Sequence, residues 1–199
     1  MVFRATVCRK NCCASWEIID MKYAAILRGI NVSGKNLIKM ADLKAVLDKA
    51  GFKNTATYIQ SGNIVFDSAS KDSQKLAAEI AELILKNFQC EVPVIVLNEG
   101  EVSEIIANNP FLKQSAVQSE HLHVTVLGQI PDTEKINAMK TPDGISDRYV
   151  MNGKTIYLHC PNGYGNTKLH NNFFEGKLKV NATTRNWKTM NVLMDMLKD

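Results

Sequence analysis

Two short polar reversals constrain this chain more than any other feature. Ser61-Gly62-Asn63 separates TATYIQ (55–60) from IVFD (64–67), and Asn152-Gly153 separates residues 147–151 from residues 155–160. Each flanking run is rich in β-branched or aromatic residues. Turn chemistry between two such runs predicts a β-hairpin. A hairpin forces its strands antiparallel, so the elements before and after each reversal must complete a sheet around it.

Those elements follow one order. YAAILRGI (23–30) is a short apolar run that predicts a buried strand. Met40, Leu43, Leu47 and Ala50 recur at helical spacing, with Gly51 as the stop signal. After the first hairpin, residues 75–88 predict an amphipathic helix with Leu76, Ile80, Leu83 and Ile84 inward, and VPVIVL (92–97) predicts a strand. The order β-α-β-β-α-β is the split βαβ of ferredoxin-like folds. Asn98 with Glu101 predicts a capping box opening a helix to Ala107, ended by Asn108-Asn109-Pro110.

The order then recurs. A strand is expected over 121–127, a helix over 132–139, the second hairpin, a helix over 166–175 and a strand over 178–180. A last helix is expected over 186–197, with Met190, Leu193, Met194 and Leu197 apolar. The repetition is of element order, not of sequence. The expected fold is α+β: two tandem ferredoxin-like (βαββαβ) subdomains with antiparallel sheets, plus a C-terminal helix. The subdomains are expected at 21–98 and 121–199, joined by a helix and loop over 99–120.

The first twenty residues, MVFRATVCRKNCCASWEIID, read unlike the rest and are expected to be a disordered or spurious extension ahead of Met21. They hold Cys8, Cys12 and Cys13, but no second ligand cluster matches these as a metal site. Cys90 and Cys160 remain, which fits a reducing, cytoplasmic home. No apolar stretch predicts a membrane span. A net charge of +4 permits a nucleic-acid partner without indicating one. No metal or cofactor is expected, and composition leaves the oligomeric state open.

LRGINVSGKN (27–36) comes close to the phosphate-cradling pattern G-x-x-x-x-G-K-[ST]. Asn36 stands where a magnesium-binding hydroxyl is needed, and Leu37-Ile38 separate the lysine from the helix. The nearest suitable carboxylate, Asp67, ends a strand that runs backward, so it belongs at the opposite edge of the sheet from Lys35. This argues against nucleotide hydrolysis. The same geometry puts the Ser61–Asn63 turn at the loop's own edge, one strand away and roughly 10 Å distant. Arg28, Gly29, Asn31, Ser33, Gly34, Lys35, Asn36, Gln60, Ser61 and Asn63 then form a candidate anion site, with Gly62 baring further backbone. The competing reading is two solvated loops whose glycines supply positive φ.

A second glycine loop, GYGNTKL (163–169), places Gly163, Gly165, Thr167 and Lys168 before the expected helix. It is either a further anion site at a helix N-terminus or a connector capped by Thr167 or Asn166. Arg185, Asn186 and Trp187 open the last helix. Arg185 is open to an acidic side chain or a ligand, and Trp187 reads as packing before base stacking. His121 and His123 share a strand face, too few for zinc, with His159 and His170 as distant additions. Cys160 reads as a buried strand-end residue.

Four stretches carry a resemblance: LRGINVSGKN followed by Met40-Ala41-Asp42-Leu43, then YIQSGNIVF (58–66), GYGNTKL and ATTRNWKT (182–189). Together they resemble an uncharacterised bacterial family, domain of unknown function 1697, over residues 21–198. Thr167 takes the place of a serine in its Gly-x-Gly-x-Ser-Lys-Leu stretch. The resemblance implies a tandem ferredoxin-like architecture and brings no activity, cofactor or catalytic residue. From the residues themselves, the expected function is binding of an anionic small molecule or a nucleic-acid phosphate. An enzyme acting on a phosphorylated metabolite and a non-catalytic interaction module are the alternatives.

Overall fold

The computed structural model describes residues 20–32 and 34–199. The expectations placed on residues 1–19 and on Ser33 lie outside the described residues. Among those described, the chain forms two four-stranded antiparallel sheets.

The first sheet comes from β1 (Met21–Leu27), β2 (Lys53–Tyr58), β3 (Asn63–Ser68) and β4 (Val94–Asn98), in the order β2-β3-β1-β4. Helices α1 (Met40–Ala50) and α2 (Ser73–Phe88) cover one face. The second sheet repeats the arrangement. It is built from β5 (Leu122–Leu127), β6 (Arg148–Asn152), β7 (Thr155–His159) and β8 (Ala182–Asn186), in the order β6-β7-β5-β8. Here α4 (Thr133–Ala138) and α5 (Asn171–Leu178) are the covering helices. Two further helices, α3 (Glu99–Ala107) and α6 (Trp187–Lys198), follow the last strand of each unit.

Local chemistry sets the ends. Gly51 closes α1 with φ 98°, and the Asp72 side chain caps α2 by accepting from the Gln74 and Lys75 amides. Asn98 and Glu101 form the full reciprocal box at the start of α3.

Alternation along β1 then builds two cores. Tyr23, Ala25 and Leu27 face α1 and α2, meeting Leu43, Leu47, Leu76, Ile80 and Ile84. Ala24 and Ile26 face the other way, into a core shared with the second unit. That core joins Val65, Ile95 and Leu97 to Val124, Val126 and Tyr157 through the apolar stripe Trp187-Met190-Leu193-Met194-Leu197 of α6. A helix stripe buried between two sheets makes each unit complete only with the other, because neither sheet's inner face is covered by its own crossover helices. A third core lies under α4 and α5.

Several expectations fail in the second unit. The fifth helix begins at Asn171, not Asn166, with the His170 ring accepting from the Phe173 amide. Residues Tyr164–Asn166 form a 3-10 turn instead, and the Thr167 hydroxyl is already used by the Leu169 amide. The last strand is Ala182–Asn186, not 178–180. Lys179 turns left-handed at φ 59° to end α5, and the polar run ATTRN enters the sheet with the Thr184 hydroxyl and Arg185 finding partners there. His121 sits in a 3-10 turn ahead of β5, so its ring lies near His159 while His123 packs elsewhere. The second reversal also falls one residue on, at Gly153-Lys154.

Candidate functional site

The loop after β1 and the 61–63 turn touch directly. The Leu27 amide donates to the Gly62 carbonyl at 2.8 Å, and Asn31 Nδ2 donates to the Gln60 carbonyl at 2.8 Å. They lie closer than a one-strand separation would give, because the turn feeds β3, the immediate neighbour of β1. Gly62 has φ +79°, and a Cβ there would lie 2.7 Å from Ile30 Cδ1 and 2.8 Å from Leu27 Cβ. Glycine is therefore required both by conformation and by space. Asn31 organises the loop from within: its side chain exchanges two hydrogen bonds with the Ile38 backbone, imitating a strand partner. Asn36 Nδ2 donates back to the Gly29 carbonyl. Gly29 and Gly34 take φ of 69° and 74°, and the Lys35 amide closes a turn onto Val32. Lys35 and Gln60 present exposed side chains. Asp67 stands opposite Lys22 at the far end of β1, removed from this loop.

Arg185 of β8 reaches across the seam between the units into this same turn. Its Nε donates to Asn63 Oδ1, and its Nη2 donates to the carbonyls of Leu27 (2.6 Å), Ser61 (3.0 Å) and Gly62 (3.1 Å). Asn63 is fully buried and uses its amide nitrogen to hold Tyr58 and Ser61. Burial pulls the Arg185 guanidinium down to about 10, which leaves it charged at neutral pH. Among the described residues no carboxylate pairs with it, so only neutral oxygens compensate a buried charge.

Arg28 sits beside it at the seam. Its Nη1 pairs with Glu175 of α5 and its Nη2 donates to Asn172 Oδ1, while the same Glu175 oxygen accepts from the Ala182 amide. Burial also lowers the Arg28 pKa, against the pull of Tyr164 nearby. The Tyr164 hydroxyl is buried without a hydrogen-bond partner among the described residues, its pKa raised chiefly by burial. Its ring stacks on His123 at 4.9 Å. Behind them, the hydroxyls of Thr125 and Thr184 meet at 2.6 Å, and Thr184 donates to Asn171.

The second glycine loop divides. Gly163 takes φ 83° and Gly165 is exposed; Thr167 donates to Asp147, and Lys168 approaches the Asp143 carbonyl at 3.3 Å. Thus Thr167 and Lys168 point away from the seam, whereas Tyr164 and Arg185 belong to it. Asn186 caps α6 by accepting from the Thr189 amide, and Trp187 is buried in the shared core. Cys160 is fully buried, its thiol pushed up to about 11. Sequence reading passed over Tyr164, Asn171, Asn172, Glu175 and Thr184. Tyr164 and Thr184 lay inside stretches already singled out. The α5 residues were hidden by the misplaced helix start.

Facing ferredoxin-like units, locked at their seam by a buried arginine, define a class of two-unit α+β proteins. The four stretches that carry the resemblance supply Leu27 and Arg28, the 61–63 turn, Tyr164, and Thr184 with Arg185, and they converge at that seam. A family model described as protein of unknown function (DUF1697) matches residues 21–157, and the chain belongs to this family. Among solved structures it is similar to a conserved bacterial protein from Streptococcus pneumoniae, with a TM-score of 0.69 and 23% identity over 90% of this chain and 99% of that one. That likeness establishes the fold. No curated protein matches the chain. Among the described residues, no helix is long and apolar enough to cross a membrane.

Proposed function

We propose that the protein is a cytoplasmic binder of an anionic, phosphate-bearing ligand, held where the Arg28–Asn36 loop meets the Ser61–Asn63 turn. The observation that carries this reading is an imbalance of charge. Arg28, Lys35 and Arg185 surround the rim, and Glu175 is the one carboxylate paired with any of them among the described residues. A guanidinium held among neutral oxygens in a low-dielectric seam projects its field to the nearest opening. Left-handed glycines at 29 and 34 leave the loop backbone open to close approach. Lys35 supplies a mobile cation at the edge.

A thermal-shift series over inorganic phosphate, pyrophosphate, a nucleotide, a sugar phosphate and a short single-stranded RNA tests the reading. A ligand at a hundred times its Kd adds about 2.7 kcal/mol, which raises the Tm by several degrees in a chain of this size. Lys35→Ala should remove the shift. Retention of the full shift in that variant excludes the loop as the site.

One further observation favours the interaction-module reading. Val32, Leu37 and Ile59 expose 56%, 73% and 50% of their surfaces on this loop and the neighbouring strand end. Ile59 does so at φ 51°, a costly conformation for a β-branched residue. A protein that shifts with none of the anions, yet elutes as a stable oligomer that Leu37→Ser dissolves, is an interaction module.

A further inference from the structure

A separate cleft opens between α3 and the β6–β7 hairpin, and none of the rim residues lines it. Residues 101, 104, 105 and 108 recur at helical spacing, so Glu101, Glu104, Ile105 and Asn108 present one face of α3 and its cap to the hairpin. Thr155 and Tyr157 project from alternate positions of β7 on the opposite wall. The cleft is half open to solvent and offers about 270 Å³. This lies just below the usual range of ligand sites, which run from about 300 Å³ upward, so only a small molecule fits.

Three properties define what fits. The floor is apolar, made by Leu97, Val126 and the Tyr157 ring. The charge is negative: Glu101 is neutralised by Lys154 at 2.9 Å, whereas Glu104 has no ion-pair partner among the described residues. The third is Tyr157 itself. It is 2% exposed, yet its hydroxyl makes no hydrogen bond among the described residues, although it lines this cleft. Unlike the Tyr164 hydroxyl, the Tyr157 hydroxyl is not sealed from solvent, so a ligand can reach its oxygen. Burial and the nearby Glu104 charge both hold the Tyr157 pKa above its ordinary value, so the phenol stays protonated and its oxygen is free to accept.

We propose that this cleft is a second binding site, for a small primary amine with a compact apolar body. The ammonium lies between the Glu104 carboxylate and Tyr157 Oη, and the body rests on Leu97 and Val126. An anion is repelled by Glu104, and a neutral molecule leaves that carboxylate with nothing but water. The site stands whether or not the rim binds an anion.

Titration of the full chain with 2-phenylethylamine, followed by amide chemical shifts, tests this. Saturable shifts should be confined to α3, the β6–β7 hairpin, β5 and the end of β4. Glu104→Gln changes an exposed helical side chain and should preserve the spectrum elsewhere while weakening binding about tenfold. Tyr157→Phe should weaken it several-fold with the cleft shape kept. Phenylacetate, the same body with an anion, should not bind. The proposal is overturned by the absence of saturable shifts, by equal binding of phenylacetate, or by unchanged affinity in Glu104→Gln.

Discussion

Arg185 Nε donates to Asn63 Oδ1 across 122 residues of chain, and both groups are buried. This contact ties the last strand of the second unit to the first hairpin of the first. Replacing Arg185 by Met leaves Asn63 Oδ1 and the Leu27 carbonyl buried without the donor they share. Each such orphan costs about 1–3 kcal/mol. The expected loss is therefore several kcal/mol, read as a lower urea midpoint. Arg185→Lys should rescue little, since one ammonium cannot reproduce a fork spread over five acceptors. A double-mutant cycle with Asn63→Ala should show coupling of about 1 kcal/mol or more; additive effects would mean the contact is incidental.

Glycine positions in the two touching loops should separate cleanly. Gly62→Ala meets Ile30 and Leu27 inside normal contact distance as well as an unfavourable φ. Gly34→Ala meets the φ penalty alone, with nothing within 4 Å. The expected costs are about 1 kcal/mol at Gly34 and about 3 kcal/mol at Gly62, measured by urea denaturation. Equal costs would show that the loop retreats from the turn without resistance.

How far the sequence disclosed all this depended on where its signals came from. The first unit was legible because its core positions follow simple periods: a doubly buried apolar β1, helix stripes at Met40-Leu43-Leu47 and Leu76-Ile80-Ile84, and a glycine turn. The second unit was less so. Its β8 buries Thr183 and Arg185, residue types that read as surface, and the partners of Arg185 come from the distant first unit. The capping signals around Asn166 were genuine hydrogen-bonding groups spent inside a loop, which local pattern cannot distinguish from a helix start. The 61–63 turn and the β1 loop were readable as one rim, since strand direction alone fixes that. Arg28 read as a ligand contact and Arg185 as open to an acidic side chain or a ligand, whereas geometry gives each protein partners that only the packing of two units reveals.

Acid should weaken the fold through two imidazoles. Burial lowers the pKa of His123, and burial with nearby Arg148 lowers that of His159. Below the unfolded value of about 6.5 the unfolded chain binds protons that the folded chain refuses. The stability these neutral rings contribute is thus present above about pH 6.5 and is lost as pH falls toward their folded values. Urea midpoints should drop between about pH 7.5 and pH 5.5. His123→Phe, which keeps a ring against Tyr164, should flatten that slope. An unchanged slope would assign the acid response to other groups.

Cys160 should resist alkylation in the folded protein. Its thiol is fully buried, and burial with the neighbouring Asp147 raises its pKa to about 11. Cys90 is only half-buried. Peptide mapping after brief iodoacetamide treatment near pH 8 should find Cys90 labelled well ahead of Cys160. Comparable labelling would reveal opening of the β7 end on the experimental timescale.

Glu175 occupies the Arg28 guanidinium from across the seam, so it acts as a built-in competitor for any anion the rim accepts. Both side chains are about one-fifth exposed, and the same carboxylate oxygen also receives the Ala182 amide. Glu175→Gln keeps an oxygen for that amide and removes the charge. Arg28 is then held by neutral groups alone, as Arg185 already is, and its field is available at the rim. If the rim binds anions, pyrophosphate affinity in Glu175→Gln should rise by roughly tenfold, the equivalent of about 1.4 kcal/mol, and Arg28→Gln should lower it. Calorimetric titration at two salt concentrations should show the gain shrinking as salt rises, since it is electrostatic in origin. A variant that folds normally but binds no more tightly would mean that Arg28 serves only to join the units, leaving Lys35 and the glycine backbone to hold the ligand.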